Sequence, residues 1–143
     1  MFGKHRKKTI LVIVDRKSRY TKLKLLENKR AQTVNDKTRE ALANKSVKSI
    51  TNDRGSEFLH YEALMNALKA KIYFCHPYTS QERGTNENMI GLVRQFLPKR
   101  KELNGLTQLQ LDQIEELLNK RPRKVLHWKT PEEVFSRENN CAV

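Results

Sequence analysis

The chain has 143 residues, 37% of them hydrophobic, which is enough for one domain with a modest core and not for two. Lysine and arginine number 29 against 16 aspartates and glutamates, a net charge of +13, and the isoelectric point is near 10.0. That excess suits a polyanionic partner, nucleic acid before others, because basic side chains displace condensed counterions from phosphate; it carries no information about sequence specificity.

No apolar run is long enough to span a bilayer, and the basic start Met1–Lys8 lacks the apolar segment of a signal peptide. A cytoplasmic protein with no membrane partner is expected. Cys75 and Cys141 have no close partner, and His5, His60, His76 and His127 show no zinc spacing, so Cys75 is read as a small buried hydrophobe. The basic residues fall in clusters along the chain, at Lys4–Lys8, Arg16–Arg19, Lys22–Lys24, Lys99–Lys101 and Lys120–Lys124, where a disordered arm would be one block.

In chain order, Thr9–Val14 is β-branched and apolar, a buried strand. Asp15–Arg19 is a tight polar turn leading to an edge-like strand, Tyr20–Leu26, and the two strands form a hairpin. Lys29–Ala43 reads as a helix with Ala31, Val34, Thr38, Ala41 and Leu42 on one side. Val47–Thr51 is a strand, Glu57–Ala70 a helix with Leu64, Met65 and Leu68 inward, and Ile72–Phe74 a short strand. After a polar loop, Pro77–Gly84, a helix runs over Glu87–Lys99 and ends near Pro98, with an apolar stripe of Met89, Leu92, Val93, Phe96 and Leu97. The last third is helical. Thr107 and Gln110 have capping-box spacing and open a helix to about Asn119, which Pro122 stops. Thr130-Pro131-Glu132-Glu133 supplies an N-cap, a proline at the first helical position and a glutamate at the third, opening a short helix packed by Val134 and Phe135.

Two carboxylates stand out. Asp53 follows the Val47–Thr51 strand and precedes the turn residue Gly55, at the C-terminal end of a strand where α/β sheets carry their sites. Glu87 lies in the first turn of the amphipathic helix, away from its apolar stripe and on the side of Gly91 and Arg94. Acids on two rigid elements joined by a polar loop suit a divalent metal held against phosphate. On its own, Glu87 also fits a simpler role, favouring the helix dipole.

Asn52-Asp53-Arg54-Gly55-Ser56-Glu57-Phe58 and the run from Pro77 to Asn88 resemble the second and third acidic blocks of DDE transposases and retroviral-type integrases, and in particular the IS-thirty type of bacterial insertion-sequence transposase. Val14–Tyr20, Asn119–Lys124 and Lys129–Phe135 fit the same pattern, so the resemblance runs from about Gly3 to Phe135. It implies an α/β, RNase H-like fold, a mixed sheet flanked by helices. The domain would be one catalytic core over residues 1–143, with 107–137 as its C-terminal helical part. It implies DNA strand cleavage at transposon ends and strand transfer into target DNA, by metal-assisted phosphoryl transfer with Mg2+ or Mn2+, in a homo-oligomer. Asp53 and Glu87 are the implied catalytic metal ligands. Arg83, Asn86, Asn88, Arg94 and Lys99 are expected on the DNA, and Glu57 is expected to brace the Asp53 loop.

The resemblance also exposes a departure. The family's first acid lies on a strand before Thr9–Val14, in a block ending Gly-Lys; aligning Gly3-Lys4 with it puts that aspartate before Met1. An N-terminally truncated core is therefore expected, with impaired catalysis and unpaired strand edges, as in a fragment, a decayed element or a reading frame begun at an internal methionine. Asp15 is rejected as a substitute and read as a hairpin-turn residue paired to Arg16 or Arg19. The alternatives are an RNase H-like nuclease that recruits Asp15 or Asp36, and a non-catalytic DNA-binding remnant.

Overall fold

In the computed structural model, residues 8–52, 61–76, 84–98, 103 and 105–140 are described. The first strand, β1 (Thr9–Val14), is a run of threonine, isoleucine, leucine and valine whose side chains alternate between two covered faces. Ile10 and Val12 point into a cluster with Leu23, Met89, Val93, Leu97, Leu111 and Leu118. Leu11 joins Leu26 and Val34 on the other face, with Ile13 against them. A strand buried on both sides reads as continuously apolar, which is what made it legible.

β1 pairs antiparallel with β2 (Thr21–Leu26), from Thr9 opposite Leu26 to Val14 opposite Thr21. The turn between them is built on Asp15. Its main chain closes the hairpin, donating to Tyr20 O at 2.8 Å and accepting from Arg19 N at 2.8 Å. Its carboxylate Oδ2 accepts from the amide and the hydroxyl of fully buried Ser18, at 2.7 and 2.6 Å. Asp15 is thus a turn residue as expected, with its carboxylate held by Ser18 where a pairing to Arg16 or Arg19 was expected; serine offers two donors within reach of one oxygen. Arg19 sits in the left-handed region at φ 63.

Helix α1 (Ala31–Leu42) buries Val34, Thr38, Ala41 and Leu42. β3 (Ser49–Asn52) and β4 (Lys71–Phe74) pair in parallel, Asn52 opposite Phe74, with α2 (Tyr61–Leu68) between them in sequence. Leu64 is the buried residue of α2, Met65 and Leu68 being half-buried. α3 (Gly84–Phe96) buries Met89 and Val93 against β1, and Leu97 follows. Phe96, expected on that stripe, is 39% exposed. The buried line runs through Met89, Val93 and Leu97 at i, i+4 and i+8, which rotates Phe96 to its margin.

α4 (Gln108–Lys120) starts at the expected capping box: Thr107 Oγ1 accepts from Gln110 N at 3.3 Å, and Gln110 Oε1 accepts from Thr107 N at 3.1 Å. α5 (Pro131–Asn140) starts at a second one, between Thr130 and Glu133, at 2.7 and 3.2 Å. Between α4 and α5 the chain makes a short 3-10 turn, Lys124–Leu126, that sequence reading did not separate out.

Three polar side chains of α4 seal the outer border of β2. Asn119 accepts from Thr21 N at 2.8 Å and donates to Thr21 O at 2.9 Å. Glu115 accepts from Leu23 N at 2.9 Å, and Gln108 accepts from Leu25 N at 2.8 Å while donating to Leu23 O at 3.0 Å. The polar groups at Thr21, Leu23 and Leu25 therefore point away from β1. By the alternation of an antiparallel pair, those of their opposite residues Val14, Val12 and Ile10 point to the far edge of β1.

Both pairings of a mixed sheet are present, one antiparallel and one parallel, but the described strands hydrogen-bond as two separate two-stranded sheets. No hydrogen bond among the described residues joins β1 to β3. Cys75 is buried, as expected, and its amide continues the β3–β4 pairing by donating to Asn52 O at 3.0 Å.

Candidate active site at the sheet edge and the start of α3

Parallel pairing brings the C-terminal ends of β3 and β4 to one edge. Asn52 is the last residue of β3, so the chain leaves that edge toward Asp53; from β4 it leaves through Cys75 and His76 toward the loop that leads into α3. Sheets of this kind gather their chemistry at such an edge. Asp53 itself lies outside the described residues, as do Glu57, Arg83 and Lys99.

Glu87 is exposed in the first turn of α3, with no ion pair or hydrogen bond among the described residues. Asn88 is exposed, while Asn86 and Arg94 are half-buried. The Asn86 Oδ1 atom is buried and accepts no hydrogen bond. Gly91 is exposed one turn beyond Glu87, and a Cβ built there meets nothing within 4 Å, so this side of the helix is open. The expectation that Glu87 stands off the core thus agrees with its position.

The hairpin turn abuts this helix start. Arg19 Nη1 donates to Thr85 Oγ1, two residues before Glu87, and brings a cation beside the first turn of α3. Sequence reading placed Arg19 in a turn but gave it no role at the site; its left-handed φ, uncommon for arginine, marks a backbone held for a purpose, but that is visible only in three dimensions. α5 fixes the other side of the turn: Phe135 stacks on Tyr20 with ring centroids 4.4 Å apart, and Glu138 pairs with Lys17 at 2.8 Å. Lys45 Nζ lies 4.8 Å from the Phe135 ring centroid. Burial, and then Lys22 nearby, pushes the Lys45 ammonium below its usual range.

Asp15 and Asp36 do not complete a site with Glu87. Asp15 is committed to Ser18, and Asp36 lies on α1, 3.8 Å from Arg39. Among the described residues no group of three or more His, Cys, Asp or Glu could hold a metal. The donors at the start of α3 do fit a hard cation in kind. Among the described residues Glu87 offers a carboxylate without a partner and Asn86 an unsatisfied amide oxygen, both oxygen ligands of the sort magnesium accepts.

The fold carrying this edge is the RNase H-like fold of integrase cores. The catalytic core of bovine immunodeficiency virus integrase superposes with a TM-score of 0.73, covering 97% of this chain and 93% of that one at 19% sequence identity. No protein-family model matches the chain. Its sequence narrows the class: the InsI transposase of insertion sequence IS30A from Escherichia coli is 42% identical over 131 residues, 90% of this chain and 34% of that protein. The transposase of insertion sequence IS4351 from Bacteroides fragilis is 41% identical over 139 residues, 96% of this chain and 43% of that protein. The chain belongs to the IS30-type transposases, and it spans between a third and a half of the length of these relatives. No helix among the described residues is long and apolar enough to cross a membrane.

Proposed function

We propose that this chain is a catalytic core for DNA transposition, cutting strands at element ends and joining them to target DNA by divalent-metal-assisted phosphoryl transfer. The reading is supported by two acids in the expected chain positions: β3 ends one residue before Asp53, and α3 opens with Glu87, which has no partner among the described residues, beside the cationic hairpin turn. Kinship with IS30-type transposases over nine-tenths of the chain supports the same chemistry.

In this reading the whole chain is one core domain, with residues 107–137 as its helical flank, acting on DNA in the bacterial cytoplasm as part of a homo-oligomer. Asp53 and Glu87 hold Mg2+ or Mn2+. When bound, the metal activates the attacking oxygen and offsets charge on the leaving oxygen. The protein's own part is positioning. Asn86 orients the neighbouring carboxylate or the backbone of the DNA, and Asn88 and Arg94 follow the phosphates along the open side of α3. Arg83 and Lys99 extend that track at the two ends of the helix, and Arg19 secures the helix start through Thr85.

The test is nicking of supercoiled plasmid by the purified chain in Mg2+ and in Mn2+. Metal-dependent nicking that falls roughly 100-fold in Asp53→Asn and in Glu87→Gln supports the assignment. Binding to DNA without nicking in either ion reduces the chain to a DNA-binding remnant, and nicking that survives both substitutions refutes these ligands.

A further inference from the structure

The segment between α4 and α5 presents a tryptophan to solvent on an unusually stiff frame. Trp128 is 70% exposed, the most exposed of the large hydrophobic side chains described. It and His127 are consecutive residues in the left-handed region, at φ 65 and φ 53. The turn under them is held by a set of main-chain hydrogen bonds. Arg123 O accepts from Leu126 N and from Trp128 N, each at 3.0 Å, and Arg123 N donates to Lys129 O at 3.0 Å. Lys124 O accepts from His127 N at 3.0 Å and Leu126 O from Lys129 N at 3.1 Å. Leu126 anchors the turn in the interior, and Arg123 ties it to α4 by donating from Nη2 to Leu118 O at 3.0 Å. A left-handed backbone at two bulky residues is disfavoured, and here it coincides with a large ring exposed to water.

The segment that carries the ring is rich in cations. Lys120, Arg121, Arg123, Lys124 and Lys129 lie between Glu116 and Glu132 with no carboxylate among them. Lys120 is occupied by Glu116 at 2.5 Å. Arg121, Lys124 and Lys129 are exposed and have no carboxylate at ion-pair distance among the described residues. Burial, and then the like charge of Arg121, holds the Arg123 guanidinium below its usual range. A flat aromatic face on a cation-rich turn is a surface suited to bind a base by stacking and its phosphates by charge.

We propose that the Lys120–Thr130 turn is a second DNA contact, separate from the metal site, in which Trp128 stacks on an unpaired base of a single strand while Arg121, Lys124 and Lys129 hold the flanking phosphates. The inference rests on the DNA-handling reading above and adds to it the form of the DNA. Strand cutting and joining leave unpaired bases beside the reacting bond, and a rigid aromatic platform favours that form over an intact duplex, whose bases are already stacked.

Trp128 is the chain's single tryptophan, so its emission reports this turn alone. The whole chain is titrated at low salt with a dT20 single strand, with a 20-base-pair duplex and with heparin. The dT20 strand is expected to quench the emission strongly, the duplex weakly and heparin not at all. By anisotropy of labelled dT20, Trp128→Ala is expected to weaken binding about tenfold or more. Trp128→Phe is expected to restore most of that loss, and Arg121→Gln with Lys124→Gln to flatten the salt dependence. Equal quenching by duplex or heparin overturns the proposal, as does dT20 binding that Trp128→Ala leaves unchanged, or no dT20 binding at all. Because Trp128 and Glu87 are probed by different readouts, metal-dependent nicking with no quenching sinks this inference and leaves the proposed function standing. Quenching with no nicking does the reverse.

Discussion

Asn119 holds both main-chain groups of Thr21, accepting from its amide at 2.8 Å and donating to its carbonyl at 2.9 Å. One side-chain amide thereby does the work of a neighbouring strand, ninety-eight positions away in sequence. Both residues are buried, so nothing replaces these bonds when they are removed. Asn119→Ala is expected to leave two buried backbone groups unpaired and to cost about 2–6 kcal/mol, from about 1–3 kcal/mol for each. Urea denaturation checks it; a loss below about 1 kcal/mol contradicts the role given to this side chain.

Asp15 separates a turn role from a catalytic one. Both of its side-chain hydrogen bonds go to Ser18, which is fully buried. Asp15→Ala should destabilise the fold by about 1–3 kcal/mol through the unsatisfied Ser18 donors. It should leave the protein's response to Mn2+ unchanged. A variant of full stability that has lost its metal response would return Asp15 to the site and revive the nuclease alternative.

Glu87 predicts the opposite pattern. It is exposed and has no partner among the described residues, so Glu87→Gln should leave the melting temperature without metal within about 1 °C of the wild type, as for other surface changes. Saturating Mn2+ should stabilise the wild type, by about 2.7 kcal/mol at a hundred times its dissociation constant. That gain should disappear in the variant. Glu132→Gln, at an exposed position on α5, serves as a control that keeps it.

Acid should loosen the α1–β2 contact in a defined window. Hydrogen bonds from Lys24 at 2.8 Å, and then from Lys37 at 2.6 Å, hold the Glu40 carboxyl down at about 2, from a usual value of 4.5. A depressed carboxylate stabilises the fold above its unfolded value and loses that contribution as pH falls from 4.5 toward 2. Glu40 is half exposed, so screening limits the contribution to about 1 kcal/mol or less. Melting curves between pH 5 and 2 (on the order of the two values above) should show Glu40→Gln losing less stability than the wild type. An equal loss in both would dismiss the interaction.

What the sequence disclosed was local chemistry. The Thr107 and Thr130 capping boxes, the apolar run Thr9–Val14 and the buried residues of α1 are each set by neighbours a few positions away, and each appears where expected. The partners across the fold were not legible. Gln108, Glu115 and Asn119 share one face of α4 with Leu111 and Leu118, an odd polar insertion in an apolar stripe. Only the unpaired border of β2 explains them, and no spacing rule links that border to α4. Phe96 erred for a similar reason: the periodicity located a stripe, while the packing of α3 on β1 chose its centre. At the candidate site, Glu87 was legible as an acid off the core, but the approach of Arg19 to Thr85 was not, since it depends on how the hairpin meets α3. Asp53, Arg83 and Lys99 belong to stretches outside the described residues.

The side chains of α4 give the β1–β2 hairpin a direction. A strand that adds to it is directed beside β1, for on the opposite flank the amides of Thr21, Leu23 and Leu25 and the carbonyls of Thr21 and Leu23 are already taken by α4. Two copies meeting through that flank of β1 would each present a finished rim to the outside, so the association halts at a pair. The capped flank is thereby a safeguard against open-ended stacking into fibres.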